Sequence, residues 1–277
     1  MANWTIAQYL EDMDRGGVER AITSVTSPGL WFGDPAVARP LARACNDYAA
    51  QLRADHPGRF GVFAVLPLPD IEGSLKEMEY GLDVLKADGI CLFTSYGDKW
   101  LGDPAFDAVF AELNRRKALV YTHPVAANCC RNLVPGINDA TIEFGTDTTR
   151  AIARFVFSGS AARYPDVRLI FSHAGGTMPF LIERFDRWSQ TPPYPQSVPA
   201  GFRAHARNFY YDTAQASNHT ALTALKALIP TSHILFGTDY PFRTALEHVN
   251  GLAQSGVFTP REIRGIEREH ALALLKR

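Results

Sequence analysis

Residues 168–176 read RLIFSHAGG. Leu169, Ile170 and Phe171 form a short apolar run that does not alternate with polar residues, and a histidine and two glycines follow at once. A run of this length without alternation is how a parallel strand buried on both faces reads. Six more runs share the pattern: RAITSV at 20–25, FGVFAVL at 60–66, GICLFT at 89–94, ALVYT at 118–122, FYYDTA at 209–214 and HILFGT at 233–238. The stretches between them carry helical spacing. Ile6, Leu10 and Met13 repeat until Gly16-Gly17 stops the helix. Val37, Leu41, Ala44, Tyr48 and Leu52 lie on one stripe, as do Ile71, Leu75, Met78, Leu82 and Leu85. Pro104 suits a helix start, and further helices are expected over 142–158, 178–187, 220–228, 244–253 and 260–276.

Strand followed by helix, repeated seven times, implies an α/β fold with a parallel sheet, and 277 residues suit one barrel. A (β/α)8 TIM-type barrel has eight strands, and this chain opens on a helix, so the pattern predicts a barrel that lacks its first strand. No linker, low-complexity tract or repeat divides the chain, which reads as a single domain over 1–277; the Pro-rich piece PPYPQSVP at 192–199 reads as a loop.

Composition removes several function classes. A formal net charge of -1, from 28 basic and 29 acidic residues, offers no field for a polyanion, so no nucleic-acid partner is expected. The N-terminus shows no signal-peptide pattern and no apolar stretch is long enough for a membrane span, so a cytoplasmic protein without membrane association is expected. Cys45, Cys91, Cys129 and Cys130 lack zinc-finger spacing and read as reduced thiols; neighbours such as Cys129 and Cys130 rarely form a relaxed disulfide.

In a βα barrel the catalytic groups sit where strands end. Three expected strand ends carry groups suited to a metal: Thr122-His123-Pro124, Ser172-His173-Ala174 and Thr238-Asp239-Tyr240. Each has a plainer reading: a hydrogen-bonded structural histidine, an aspartate capping its turn, a glycine pair making a tight turn. The case rests on all three falling at strand ends of one barrel.

THP at 122–124, SHAGG at 172–176 with PF following, and GTDYPF at 237–242, in this order and spacing, resemble the amidohydrolase-related family that includes aminocarboxymuconate-semialdehyde decarboxylase and γ-resorcylate decarboxylase. MDRGGVERAITSV, NDYAAQLRADHPGRFGVFAVLPLPD and YGDKWLGDPAFDAVFAELNRRKALVYTHP extend the resemblance over nearly the whole chain, with the aromatic-acid decarboxylases, such as those acting on 6-methylsalicylate, nearest in character. The resemblance implies a metal-dependent non-oxidative decarboxylase of a small aromatic or unsaturated carboxylic acid. It implies His123 and Asp239 as metal ligands, and His173 and Asp239 as the catalytic pair that orients water and passes a proton. It places Arg184 on the substrate carboxylate across a dimer interface, whose plainer reading is a surface ion pair with Glu183 or Asp186. A homodimer or a dimer of dimers is the expected assembly.

Tyr96 and Trp100, in a loop after a strand, and Phe242, beside the Asp239 turn, are aromatic candidates for binding a flat ring. Zinc is the expected metal, with manganese as the alternative. No organic cofactor is expected, since neither a pyridoxal-type lysine site nor a G-x-G-x-x-G fingerprint is present. The family's first strand supplies His-x-His or Glu-x-His, which this sequence does not contain; a fragment, a late start or a natural variant would each account for that. His56, His205, His219, His233, His248 and His270 read as structural or surface residues. Metal binding much weaker than in a complete relative is therefore expected. Two other functions stay open: a lactone or amide hydrolase using the same groups, and a barrel impaired in catalysis.

Overall fold

A computed structural model describes residues 4–275. Helix α1 (Ile6–Gly16) begins where the Thr5 side chain accepts from Gln8 N, and it stops at Gly17, whose φ of 68° only glycine adopts readily. Strand β1 (Ala21–Thr23), helix α2 (Pro35–Asp55), strand β2 (Phe60–Val65), helix α3 (Ile71–Glu79) and strand β3 (Gly89–Phe93) follow. Asp34 and Asp70 cap α2 and α3 through their side chains, each on a backbone N–H of the first turn. A short hairpin, β4 (Ser95–Tyr96) with β5 (Lys99–Trp100), leads to α4 (Asp107–Arg115) and β6 (Leu119–His123). Then come α5 (Asp139–Phe157), α6 (Ser160–Arg163), β7 (Arg168–Phe171), α7 (Met178–Ser189), α8 (Phe202–Asn208), β8 (Tyr210–Asp212), α9 (His219–Leu228), β9 (Ile234–Leu235), α10 (Ala245–Gln254), α11 (Pro260–Arg264) and α12 (His270–Leu275). A π-helical turn joins the last two; residue 276, the expected end of that helix, lies outside the described residues.

All seven expected strands form, in one parallel sheet ordered β1-β2-β3-β6-β7-β8-β9. Each new strand joins the same edge as the last, which is the order of a barrel wall and not of a doubly wound sheet. Phe93 pairs with His123 and Thr122 with Phe171, so neighbouring strands end near one level. Every residue of β2 and β3 is buried, as the unbroken apolar runs require. Phe106, Phe110, Phe155, Phe171 and Phe202 fill the layer between sheet and helices, each contributing about 1.5–3 kcal/mol through burial.

The outer strands β1 and β9 do not pair with each other among the described residues. Helices join the wall there instead. Tyr9 on α1 stacks on Tyr240 with ring centres 4.4 Å apart, and Asp12 accepts from Ala245 N at 2.8 Å. A Cβ at Gly16 would lie 2.5 Å from Ala245 Cβ, so glycine lets α1 and α10 touch.

The structure adds three elements that periodicity did not announce: the β4–β5 hairpin, α6 and α8. They are too short to show a repeating pattern. One expectation is corrected. Cys129 and Cys130 are joined by a disulfide, while Cys45 and Cys91 are free. The tight turn Asn128–Cys130, held by Asn128 N on the Gly97 carbonyl and Cys129 N on Asp98 Oδ1, lets neighbouring sulfurs meet across a Cα separation of 3.8 Å, shorter than ordinary disulfides need. Among the described residues no helix is long and apolar enough to cross a membrane.

His248, fully buried on α10, yields a test of the packed state. Burial, with Arg243 nearby, pushes its pKa down to about 4, and its Nδ1 pairs with Ser217 Oγ at 2.7 Å. The unfolded chain takes up this proton below about pH 6.5, whereas the native protein resists until about pH 4. Stability from this site is therefore complete above pH 6.5 and declines as pH falls toward 4. Urea unfolding at pH 7 and pH 5 should show His248→Gln losing roughly 1–2 kcal/mol less than the wild type over that interval.

Candidate active site

Strand ends deliver the three expected groups to one place. His123, the last residue of β6, is buried, and its Nδ1–H donates to the Pro124 carbonyl at 2.8 Å, which leaves the Nε2 lone pair facing the site. His173 follows β7 and Asp239 follows β9. Asp239 Oδ1 lies 3.6 Å from His123 Nε2, and Asp239 Oδ2 lies 3.5 Å from His173 Nε2. The imidazole rings stand edge to face with centres 5.7 Å apart. One donor atom from each residue falls within 4.8 Å of the others. His173 Nε2 is buried and makes no hydrogen bond. An orphaned buried nitrogen among two imidazoles and a carboxylate fits a divalent cation, which takes such donors and leaves a position open for substrate.

The charges are mutually supporting. Burial works against the charged form of Asp239, but His173 and the Gln215 amide, 2.9 Å away, outweigh it and hold the carboxyl well below the usual carboxylate range. Burial likewise disfavours a charged His173, yet Asp239 and Asp212 raise its pKa above the ordinary histidine value. Asp212, at the end of β8, is buried and shifted upward by that burial. It accepts from His173 N at 2.8 Å, Ala214 N at 3.0 Å and the Tyr121 hydroxyl at 3.1 Å, so it fixes the backbone that carries His173.

That backbone is strained. His173, Ala174, Gln215 and Asp239 all have φ between 55° and 57°, a region that non-glycine residues seldom occupy. Helix α5 holds the strained turn in place. Thr149 Oγ1 accepts from Thr177 N at 2.9 Å. Gly176 packs so tightly on Gly145 that a Cβ would fall 2.0 Å from the Gly145 carbonyl oxygen. Asp147, fully buried on the same helix, accepts from Thr94 Oγ1, Ser95 Oγ and Trp100 Nε1. Thr94 N in turn donates to the His123 carbonyl at 3.0 Å.

The aromatic candidates and Arg184 are not part of the central group; among the described residues no hydrogen bond, ion pair or ring contact joins their side chains to His123, His173 or Asp239. Tyr96 is buried against Phe93 and Phe106, and its hydroxyl accepts from Phe93 N at 2.9 Å. Trp100 is tied to Asp147. Phe242 N closes the turn on the Asp239 carbonyl at 3.0 Å while its ring is 54% exposed. Arg184 is exposed on α7 and pairs with neither Glu183 nor Asp186, whose partner is Arg203. Four site residues escaped the sequence reading: Asp212, Gln215, Thr26, whose Oγ1 is 3.1 Å from His123 Nε2, and Phe144, whose ring centre is 6.0 Å from that of His123. Only Asp212 carried a usable signal, an aspartate closing an apolar run as Asp239 does.

Gly176→Ala should destabilise the protein by at least about 2 kcal/mol in urea unfolding, because the added methyl meets a backbone carbonyl at a positive φ. A loss below about 0.5 kcal/mol would mean that α5 does not brace the His173 turn.

Comparison with known proteins agrees with this geometry. The amidohydrolase family profile matches residues 1–276. A decarboxylase of Aspergillus niger is 34% identical over 294 aligned residues, covering 100% of this chain and 80% of the relative. The 6-methylsalicylic acid decarboxylase of Penicillium expansum is 37% identical over 255 residues, covering 87% of this chain and 77% of that enzyme. A crystal structure of dihydroxybenzoic acid decarboxylase from Polaromonas sp. JS666, with bound manganese and the inhibitor 2-nitroresorcinol, superposes with a TM-score of 0.83 at 25% identity, covering 99% of this chain and 86% of that one. Matched almost end to end, this chain belongs to the amidohydrolase family.

Proposed function

We propose that this protein is a metal-dependent non-oxidative decarboxylase of a small aromatic carboxylic acid. The observation that carries the reading is the convergence of His123, His173 and Asp239 within 4.8 Å at the ends of three strands. The relatives support it, since the Aspergillus niger and Penicillium expansum proteins similar to this chain are named decarboxylases. His123, His173 and Asp239 would hold the cation, with zinc as the expected metal and manganese, found in the Polaromonas relative, as the alternative. Once bound, a divalent cation supplies Lewis-acid stabilisation of a substrate oxygen.

The chain's own residues do the rest. The half-buried Phe144 ring, edge-on to His123, offers a wall for a flat aromatic ring. The bond between ring and carboxyl carbon breaks, CO2 departs, and the electron pair left on the ring carbon takes a proton. Water oriented by His173 delivers that proton, while Asp239, held as a carboxylate with no proton of its own to give, faces His173 and can pass a proton only after receiving one. Tyr121, Asp212 and Gln215 keep both groups in place.

The active unit is a dimer in this reading. Phe180, 66% exposed, Arg184 and Trp188, 53% exposed, follow at intervals of four along α7 and form one stripe. A second copy covering that stripe would bring Arg184, free of intrachain ion pairs among the described residues, to the neighbouring substrate carboxylate.

Purified protein loaded with zinc or manganese should release CO2 from 6-methylsalicylate or a dihydroxybenzoate, and His123→Ala should lose the bound metal together with at least about 100-fold of kcat/KM. Hydrolysis of a lactone without CO2 release would replace the decarboxylase by a hydrolase. Arg184→Ala should raise KM about 10-fold or more with an unchanged unfolding midpoint. Light scattering that shows only monomer would remove the dimeric role of Arg184.

A further inference from the structure

Thr26 lies in the loop between β1 and α2, and its Oγ1 is 3.1 Å from His123 Nε2. The other ring nitrogen, Nδ1, donates to the Pro124 carbonyl at 2.8 Å and so carries the hydrogen. Nε2 therefore bears a lone pair, and the Thr26 hydroxyl is the donor. This lone pair is also the one through which His123 would hold a cation, and it serves one partner at a time.

The loop limits how Thr26 can respond. Its own carbonyl accepts from Gly29 N at 3.1 Å, and the preceding Val25 carbonyl receives the buried Cys91 thiol at 3.6 Å. A Cβ on Gly29 would stand 3.0 Å from the Phe93 ring, and Phe93 is the strand partner of His123. The main chain on both sides of Thr26 is thus packed against β3. The hydroxyl, with no second hydrogen bond among the described residues, can still turn about one side-chain bond.

We propose that Thr26 is a positioning residue that gives its hydroxyl to His123 Nε2 in the metal-free protein and to an oxygen of the carboxylic acid substrate once that lone pair holds a divalent cation. The inference rests on the metal-dependent decarboxylase reading above. In the metal-free state the hydroxyl competes with the cation. In the loaded state it is a donor standing beside the donor atom of His123, without a fixed protein acceptor.

Thr26→Val keeps the side-chain shape and deletes the hydroxyl. Zinc affinity read by chelator competition on the full chain, without substrate, should become about 3–10-fold tighter, because the competing hydrogen bond is gone. KM for the accepted benzoic acid should rise about 5–20-fold with kcat changed far less. Thr26→Ser should return both values toward wild type, which a packing defect would not allow. Should Thr26→Val fail to fold, Thr26→Ala takes its place in both measurements. Weaker zinc binding would make Thr26 a ligand and overturn the proposal, as would an unchanged zinc affinity or an unchanged KM. Wild-type protein that binds zinc but releases no CO2 would sink the decarboxylase reading and the substrate half of this inference. Equal zinc affinities would sink this inference alone.

Discussion

Asp239 is faced by side chains from three other strand ends, and the site depends on keeping them there. A carboxylate that is largely out of water is tolerable only if partners compensate its lost hydration. The Gln215 amide donates to it at 2.9 Å, and the His123 and His173 rings face it at 3.6 Å and 3.5 Å in the geometry of a shared cation site, each arriving on a different segment. No local stretch could assemble that set. It requires β6, β7, β8 and β9 to run parallel and to stop at about one level, which the chain-ordered sheet provides.

Strain accompanies this arrangement. Four non-glycine residues with positive φ gather at the strand ends, where the side chains must turn inward instead of following the strand. The molecule counters the strain from outside the site. Along α5, Gly145 receives Gly176, Thr149 receives Thr177, and Asp147 gathers Thr94, Ser95 and Trp100. Trp100 is thereby tied into the brace, while Tyr96 packs on Phe93 and Phe106. An indole N–H or a phenol that finds a buried partner is held by it and is less available to a ligand.

The wall of the sheet has its own constraint. Parallel strands leave unpaired edges unless the barrel closes, and here α1 and α10 cross the interval between β1 and β9. The stacking of Tyr9 on Tyr240 ties that junction to the residue next to Asp239. A change in how α1 packs would therefore be felt at the site through one aromatic contact.

Periodicity was enough to locate all seven sheet strands and most helices, because a strand buried on both faces must be apolar throughout and an amphipathic helix must repeat every three to four residues. It was also enough to single out His123, His173 and Asp239, since a polar residue ending an apolar run is conspicuous in one dimension. Thr26 and His123 are 97 positions apart, and Gln215 and Asp239 are 24. Nothing local about a threonine in TSP or a glutamine in TAQAS distinguishes it from an ordinary loop residue. The Cys129–Cys130 bond likewise followed from a turn whose shape is set by Gly97 and Asp98. Sequence alone determined which segments must be buried and which strand ends carry ligand chemistry, because those properties are local. Tertiary structure alone decided which groups share a lone pair, a proton or a carboxylate, because hydrogen bonds form between atoms that only the chain-ordered parallel sheet brings within reach.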